Sequence, residues 1–341
     1  SCREMQLARL RLASQFLTAP RDEPLEQLVS RFGGLQGQDL PGVKWSVGVR
    51  AKRATLADVD RALTEGRLVR SSPMRGTLHL VAASDARWLV ELTAPGNLKR
   101  AAYRSKQLEL DEKTIARAMK VFEKALQNRA HLTRHELADA LEHGKISAAG
   151  QRTYYLLWHA TMRGLISSGA PRGKEPTFTL ADHWLPRVKA PSDPAAELAL
   201  RYFTTRGPAT KEDFAWWSSL PAAQVRGAME AVAPQLAHED GLFWSKHVKP
   251  APAKHALALP GFDEFLLGYT DRSAVLDATH AGKWCPGSNG IFMPFLVLDG
   301  RVVGLWNKKA ELKPFTRLTA TERERLDDAV QRSSKFALSA A

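Results

Sequence analysis

Two neutral amides stand one residue apart in Leu35-Gln36-Gly37-Gln38-Asp39. In extended chain the side chains at i and i+2 leave the same face, so Gln36 and Gln38 can converge on one water or one ligand atom. A carboxamide accepts through its oxygen and donates through its nitrogen, which suits it to holding and aiming a water but not to deprotonating one. Asp39 is the stronger base next to the pair, and in an extended loop it points to the opposite face. On spacing alone the glutamines are either loop tethers or a reactive pair.

Other reaction chemistry is thin in this chain. His135-Glu136 has no second histidine at zincin spacing, because His143 comes too late, so no metal is expected. No GxxxxGK[ST] loop occurs, Gly287-Ser288-Asn289-Gly290 reads as a turn, and no cofactor is expected. Asp263 and Glu264 are consecutive, which places them on opposing faces rather than in a cooperating dyad. Cys2 and Cys285 are too few for a disulfide framework or a zinc cluster and read as ordinary thiols.

The glutamine loop has to be held by the elements around it. Leu7, Leu10, Ala13 and Leu17 recur at helical spacing, and a second helix starts near Asp22, with Pro24 in its first turn, and stops at Phe32-Gly33-Gly34. After the loop, Val43 to Arg50 forms a short helix, and Thr55 to Asp58 is a capping box for a helix ending at Gly66. Leu68–Arg70 and Gly76–Val81 then read as a hairpin. Helices followed by a hairpin recur twice more. One set comprises Leu108–Gln127, His135–Leu141, a helix from Ser147 to Arg163 and a hairpin over Leu165–Thr179; the other comprises Ala195–Thr205, Thr210–Ser219, Pro221–Val232 and Leu236–Val248.

A linker over Val248–Lys254 leads to strand-like Phe265–Tyr269, Ile291–Leu298 and Arg301–Trp306, with Asp299-Gly300 as a hairpin turn. Thr319–Phe336 is a polar terminal helix. The expected fold is therefore α+β and mainly helical. It has three tandem winged-helix domains, at residues 1–100, 101–190 and 191–254, and a small C-terminal β-barrel-like domain with the terminal helix at 255–341.

Charge points to a polyanion. The 341 residues carry a net +13, and the excess is uneven: residues 1–100 hold 16 basic and 10 acidic side chains, 101–190 hold 15 and 9, and 261–341 hold 11 and 10. Arg152, Tyr155, His159 and Arg163 share one stripe of the helix in the recognition position of the second unit, where they can track phosphates. In the first hairpin, Arg75 and His79 alternate with apolar residues and can face DNA or the glutamine loop, although a structural hydrogen bond is the more ordinary role for His79. No apolar run approaches the roughly 18–20 residues of a membrane span. The start, Ser1-Cys2-Arg3-Glu4, lacks a signal-peptide core, so a cytoplasmic protein without membrane partners is expected.

The stretches Gly34–Asp39, Arg67–Arg70 with Met74–Val81, Leu259–Tyr269, and Asn289–Phe292 with Val302–Trp306 resemble, in order, the AlkZ/YcaQ family of winged-helix DNA glycosylases. The resemblance implies a concave basic cradle for double-stranded DNA and a catalytic Gln-x-Gln motif at Gln36 and Gln38. That form of the motif belongs to the AlkZ branch, which unhooks azinomycin-type interstrand crosslinks. Gly37 departs from the larger aliphatic residue usual at the middle position. The implied activity is monofunctional hydrolysis of the N-glycosidic bond of cationic N7- or N3-alkylpurines, leaving abasic sites, by a monomer without cofactor. Such an enzyme belongs to base-excision repair of alkylation damage and to resistance against crosslinking antibiotics. The competing reading is a winged-helix transcription regulator without catalysis.

Overall fold

The computed structural model describes residues 2–339, apart from the side chains of Cys2 and Ser288, so Ser1 and the Cys2 thiol lie outside the described residues. The fold is mixed α/β. It divides into two compact units, one of residues 1–59, 195–217 and 222–341, the other of residues 60–194 and 218–221.

In the first unit, helix Leu25–Arg31 ends where the sequence requires it to. Gly33 (φ 65°) and Gly34 (φ 137°) turn the chain through backbone regions that cost a side chain dearly. The two-residue strand Leu35–Gln36 follows, and then helix Leu40–Gly48 with Pro41 in its first turn. Farther along, Pro194–Arg206, Ala209–Thr210, Lys211–Ser218, Ala222–Val232 and the hairpin Leu236–Glu239/Leu242–Ser245 follow one another as helix, strand, helix, helix, hairpin. Ala209–Thr210 pairs with the second hairpin strand, and Thr210 and Asp213 exchange capping hydrogen bonds of 3.0 Å.

The C-terminal strands Ala256–Leu259, Phe295–Leu298, Arg301–Trp306 and Leu312–Pro314 form an antiparallel sheet in that order. The expected Asp299-Gly300 turn is present: both residues take positive φ, 48° and 92°, and Leu298 pairs with Arg301. The β-barrel-like expectation is corrected, because the sheet is open and the described residues contain no closed barrel. It has no need to close, since both faces are covered. Ala256, Ala258, Leu296 and Leu298 pack on Leu326, Ala329 and Val330 of helix Ala320–Leu338, while Leu257, Leu259, Phe295 and Val297 pack with Ala8, Leu12 and Phe265. The expected strand over Phe265–Tyr269 is instead the short helix Glu264–Leu267. Asp263 caps it by accepting the Phe265 N–H at 2.9 Å.

In the second unit, strands Leu68–Ser71 and His79–Ala82 pair antiparallel, so the second strand starts three residues later than expected. The residues between them hold a 3₁₀ turn, Met74–Gly76, with Arg75 at φ 56°. Helix Ala83–Gln107 continues through Pro95, a segment with no expected element. Helix Glu112–Ala125 starts only after Glu109 (φ 53°), and Asp111 caps it through a 2.7 Å bond from Thr114 N–H. Thr133 and Glu136 form the capping box of helix Arg134–His143. Helix Arg152–Met162 and the pair Ile166–Ser168/Thr177–Leu180 complete a second helix, strand, helix, helix, hairpin series, with Leu132–Thr133 on the sheet edge. Among the described residues no helix is long and apolar enough to cross a membrane.

Candidate active site

The two glutamine side chains meet. Gln36 Nε2 donates to Gln38 Oε1 at 3.1 Å, and Gln36 Oε1 accepts the Gly37 N–H at 3.2 Å. Gln36 is 5% exposed, whereas Gln38 and Asp39 are exposed. The inner amide is thus fixed at both of its heteroatoms and orients the outer one. Gln38 Oε1 retains a second lone pair. Asp39 precedes helix Leu40–Gly48, and its carboxylate lies over Gly42, where a Cβ would collide with it.

The loop is held by a buried ion pair. Glu264, 1% exposed, accepts the Gln36 N–H through Oε1 at 2.9 Å. Its Oε2 accepts from Arg206 Nε at 2.8 Å and from Trp217 Nε1 at 3.1 Å. Arg206, with no exposed surface, donates to Phe32 O and Gly34 O, each at 2.9 Å, and lies over the Trp217 ring at 4.2 Å. One arginine and one carboxylate therefore fix two carbonyls before the glutamine loop and one N–H within it.

A second buried pair lies beside the first. Arg50 binds both oxygens of Asp263 at 2.8 Å, Ser46 Oγ donates to Asp263 at 2.6 Å, and Arg50 also donates to Gln15 at 2.8 Å. Burial alone would push the Asp263 carboxyl up, but the Arg50 charge and these hydrogen bonds outweigh it and hold the group below its ordinary range. Gln15 donates to Tyr269 at 3.0 Å, and Tyr269 donates to the Arg206 carbonyl at 2.7 Å, which links the two pairs. Burial pushes the Tyr269 hydroxyl up to about 12, so it remains a donor.

Asp263 and Glu264 go to different arginines, as their consecutive positions require, and both work on structure. Sequence reasoning missed Arg50 and Arg206. The available signal was two adjacent acids inside the apolar run from Leu257 to Leu267, because carboxylates folded into such a run need cationic partners.

The expected DNA-contacting residues divide by environment. His79 has no exposed surface, and its Nδ1 lies 2.8 Å from Thr77 O. His159 is buried, and its Nε2 lies 2.9 Å from Ser105 Oγ of helix Ala83–Gln107. Burial leaves these two imidazoles no surface to offer a phosphate. Arg152 turns its guanidinium onto backbone carbonyls, Ser147 O at 2.9 Å and Leu108 O, and Tyr155 packs on the unit's apolar core. Arg163 is solvent-facing and forks onto Glu112 at 2.8 and 2.9 Å. Arg75 is half-buried. The helical stripe of the sequence is real, but the structure turns most of it toward the neighbouring helices.

His159 gives a pH prediction. Burial first, and then the Arg163 charge, lower its pKa to about 4 from an ordinary 6.5. Protons therefore bind the unfolded chain before the folded one. The stability tied to neutral His159 is complete above pH 6.5 and is lost as pH falls toward 4. Melting midpoints measured from pH 7 to 4.5 should fall less steeply in His159→Asn than in the parent chain; equal slopes would refute the assignment.

The interstrand DNA cross-link repair glycosylase of Streptomyces sahachiroi is 28% identical over 344 residues, covering 92% of this chain and 90% of the relative. The solved structure of Streptomyces sahachiroi DNA glycosylase AlkZ matches with a TM-score of 0.81 at 25% identity, covering 97% of this chain and 96% of that one. The AlkZ-like DNA glycosylase family model matches residues 29–336, which include the glutamine loop, both arginines and both of their carboxylates. The chain belongs to the AlkZ-like DNA glycosylase family, whose members hydrolyse N-glycosyl bonds.

Proposed function

We propose that this protein hydrolyses the N-glycosidic bond of purines alkylated at N7 or N3 in double-stranded DNA, leaving an abasic site, with Gln36 and Gln38 as the catalytic pair. The observation that carries the reading is the hydrogen bond that Gln36 donates to the Gln38 amide oxygen on a loop clamped by Arg206 and Glu264. Alkylation at N7 or N3 puts positive charge on the purine, so the base departs as a neutral molecule without protonation by an acid. The remaining task is to place a water at C1′ and tolerate an oxocarbenium-like centre. Gln38 Oε1, polarised by the Gln36 NH2, accepts a hydrogen bond from that water and sets its direction. Neutral amides are weak bases, so the activity is confined to lesions that carry their own leaving-group charge.

We further infer that the two helix, strand, helix, helix, hairpin series are winged helices and that residues 1–100 supply a third. Arg75 and Arg163 are our candidates for phosphate contact. The relative named for cross-link repair makes an interstrand crosslink at N7 the candidate physiological lesion. A guanine tied to the opposite strand cannot be fully extruded, so access is from a groove. The protein acts as a monomer.

The test is a duplex with one N7-methylguanine, incubated with the protein and then treated with mild alkali. Strand breaks should appear at the lesion, in any sequence context, and not in uracil or hypoxanthine duplexes. An intact N7-methylguanine strand, together with tight binding to one preferred sequence, would establish the regulator reading instead.

A further inference from the structure

Counted along the chain, residues 261–341 are nearly neutral, with 11 basic and 10 acidic side chains, and helix Ala320–Leu338 is unremarkable. In space the charges are sorted. Arg325, Arg332 and Lys335 lie seven and three residues apart on one stripe of this helix and line an open cleft of about 870 Å³. Lys52, Lys254 and His255 line it from other segments of the same unit, over a partly apolar floor that includes Leu17, Val49 and Leu257. Asp328 is the one acidic residue among those lining it.

The charges are available to a ligand to different degrees. Arg332 donates to Ala256 O at 2.7 Å, and Arg325 lies 3.4 Å from Asp299. The exposed ammonium groups of Lys52, Lys254 and Lys335 have no carboxylate partner among the described residues. His255 reports the local field: burial lowers its pKa first, Asp299 raises it, and Arg325, Arg332 and Arg9 lower it again. A concave surface dominated by positive charge over a low-dielectric floor concentrates its field on anions.

We propose that this cleft holds the phosphodiester backbone of a DNA strand, as an anion-binding surface separate from the glutamine loop. The choice of DNA as the polyanion rests on the glycosylase reading; the cleft itself does not. Helix Leu40–Gly48 begins just after the loop, and Gly48 lines the cleft. At 1.5 Å per residue that helix spans about 12 Å, or about three to four phosphates of one B-form strand, so one bound strand can reach both.

The test compares the parent chain with the triple variant Lys52→Gln/Lys254→Gln/Lys335→Gln and a charge-keeping triple Lys→Arg variant at the same positions. Affinity for an undamaged duplex and for one of its single strands is measured from 50 to 200 mM salt. The Gln variant should lose about 0.9 in the slope of log K against log salt for each duplex phosphate released, up to about 2.7 in all, or about 0.7 each on a single strand. The larger change identifies the strand form that the cleft holds. The Arg variant should keep the parental slope, and base release from an N7-methylguanine duplex is measured on the parent chain alongside. A parental slope in the Gln variant on both DNA forms, or an equal loss in the Arg variant, would overturn the cleft. A parent chain that releases no base while the Gln variant still loses slope would overturn the glycosylase reading and leave the cleft standing.

Discussion

Replacing Gln38 by alanine should slow single-turnover release of N7-methylguanine by about 10²–10³, a loss of roughly 2.7–4 kcal/mol of transition-state stabilisation, with DNA affinity retained. The size follows from what the side chain supplies. Its Oε1 receives the Gln36 NH2 at 3.1 Å and keeps one lone pair for the attacking water, so truncation removes an aimed acceptor from a prearranged site. Gln36→Ala should produce a loss of the same order by a different route, because Gln38 then lacks the bond that orients it. If the two act as a unit, the double variant should be little slower than either single one. Gln38→Glu separates aiming from mere bulk: it restores an acceptor at the same reach and faces the developing sugar cation with negative charge, so it should recover much of the activity that alanine abolishes. Unchanged rates in both alanine variants would remove the pair from the mechanism and turn attention to Asp39, whose carboxylate now lies over Gly42.

What sequence could reveal of this site follows from the range of the interactions. The glutamine pair was legible because residues two apart in extended chain share a face, and the box at Thr55/Asp58 was legible because a capping exchange closes within four residues. The clamp was not legible: Arg206 and Glu264 are 58 residues apart, Arg50 and Asp263 are 213 apart, and no local period records such pairings. Phe265–Tyr269 read as a strand because a short apolar run fits a strand or a buried helical turn equally well, and Asp263, the residue that decides for the helix, read as half of a carboxylate pair. The stripe Arg152-Tyr155-His159-Arg163 marks a failure of another kind. Periodicity assigns residues to a face but does not say whether that face meets solvent or another helix, and His159 against Ser105 shows which alternative holds there.

Arg206→Met should be the most damaging single substitution away from the glutamines. The methionine fills part of the space but takes the Arg206 charge away from Glu264, which is 1% exposed and keeps Trp217 and the Gln36 N–H among its donors. Removing one partner of a buried pair costs about 3–5 kcal/mol, and at about 2–4 °C per kcal/mol for a unit of this size the melting midpoint should fall by roughly 6–20 °C. A second consequence separates a clamp from a plain stabilising pair. Phe32 O and Gly34 O lose their donors, so the loop that carries Gln36 loses its fixed path even in molecules that remain folded. Base release at a temperature where the variant is fully folded should therefore still fall, while affinity for undamaged duplex holds. Replacing both partners, as Arg206→Met/Glu264→Leu, removes the buried carboxylate along with its cation and should recover part of the lost stability but none of the lost rate, because the Gln36 N–H then has no acceptor in Glu264. Recovery of rate together with stability in the double variant would show that the pair serves the fold alone.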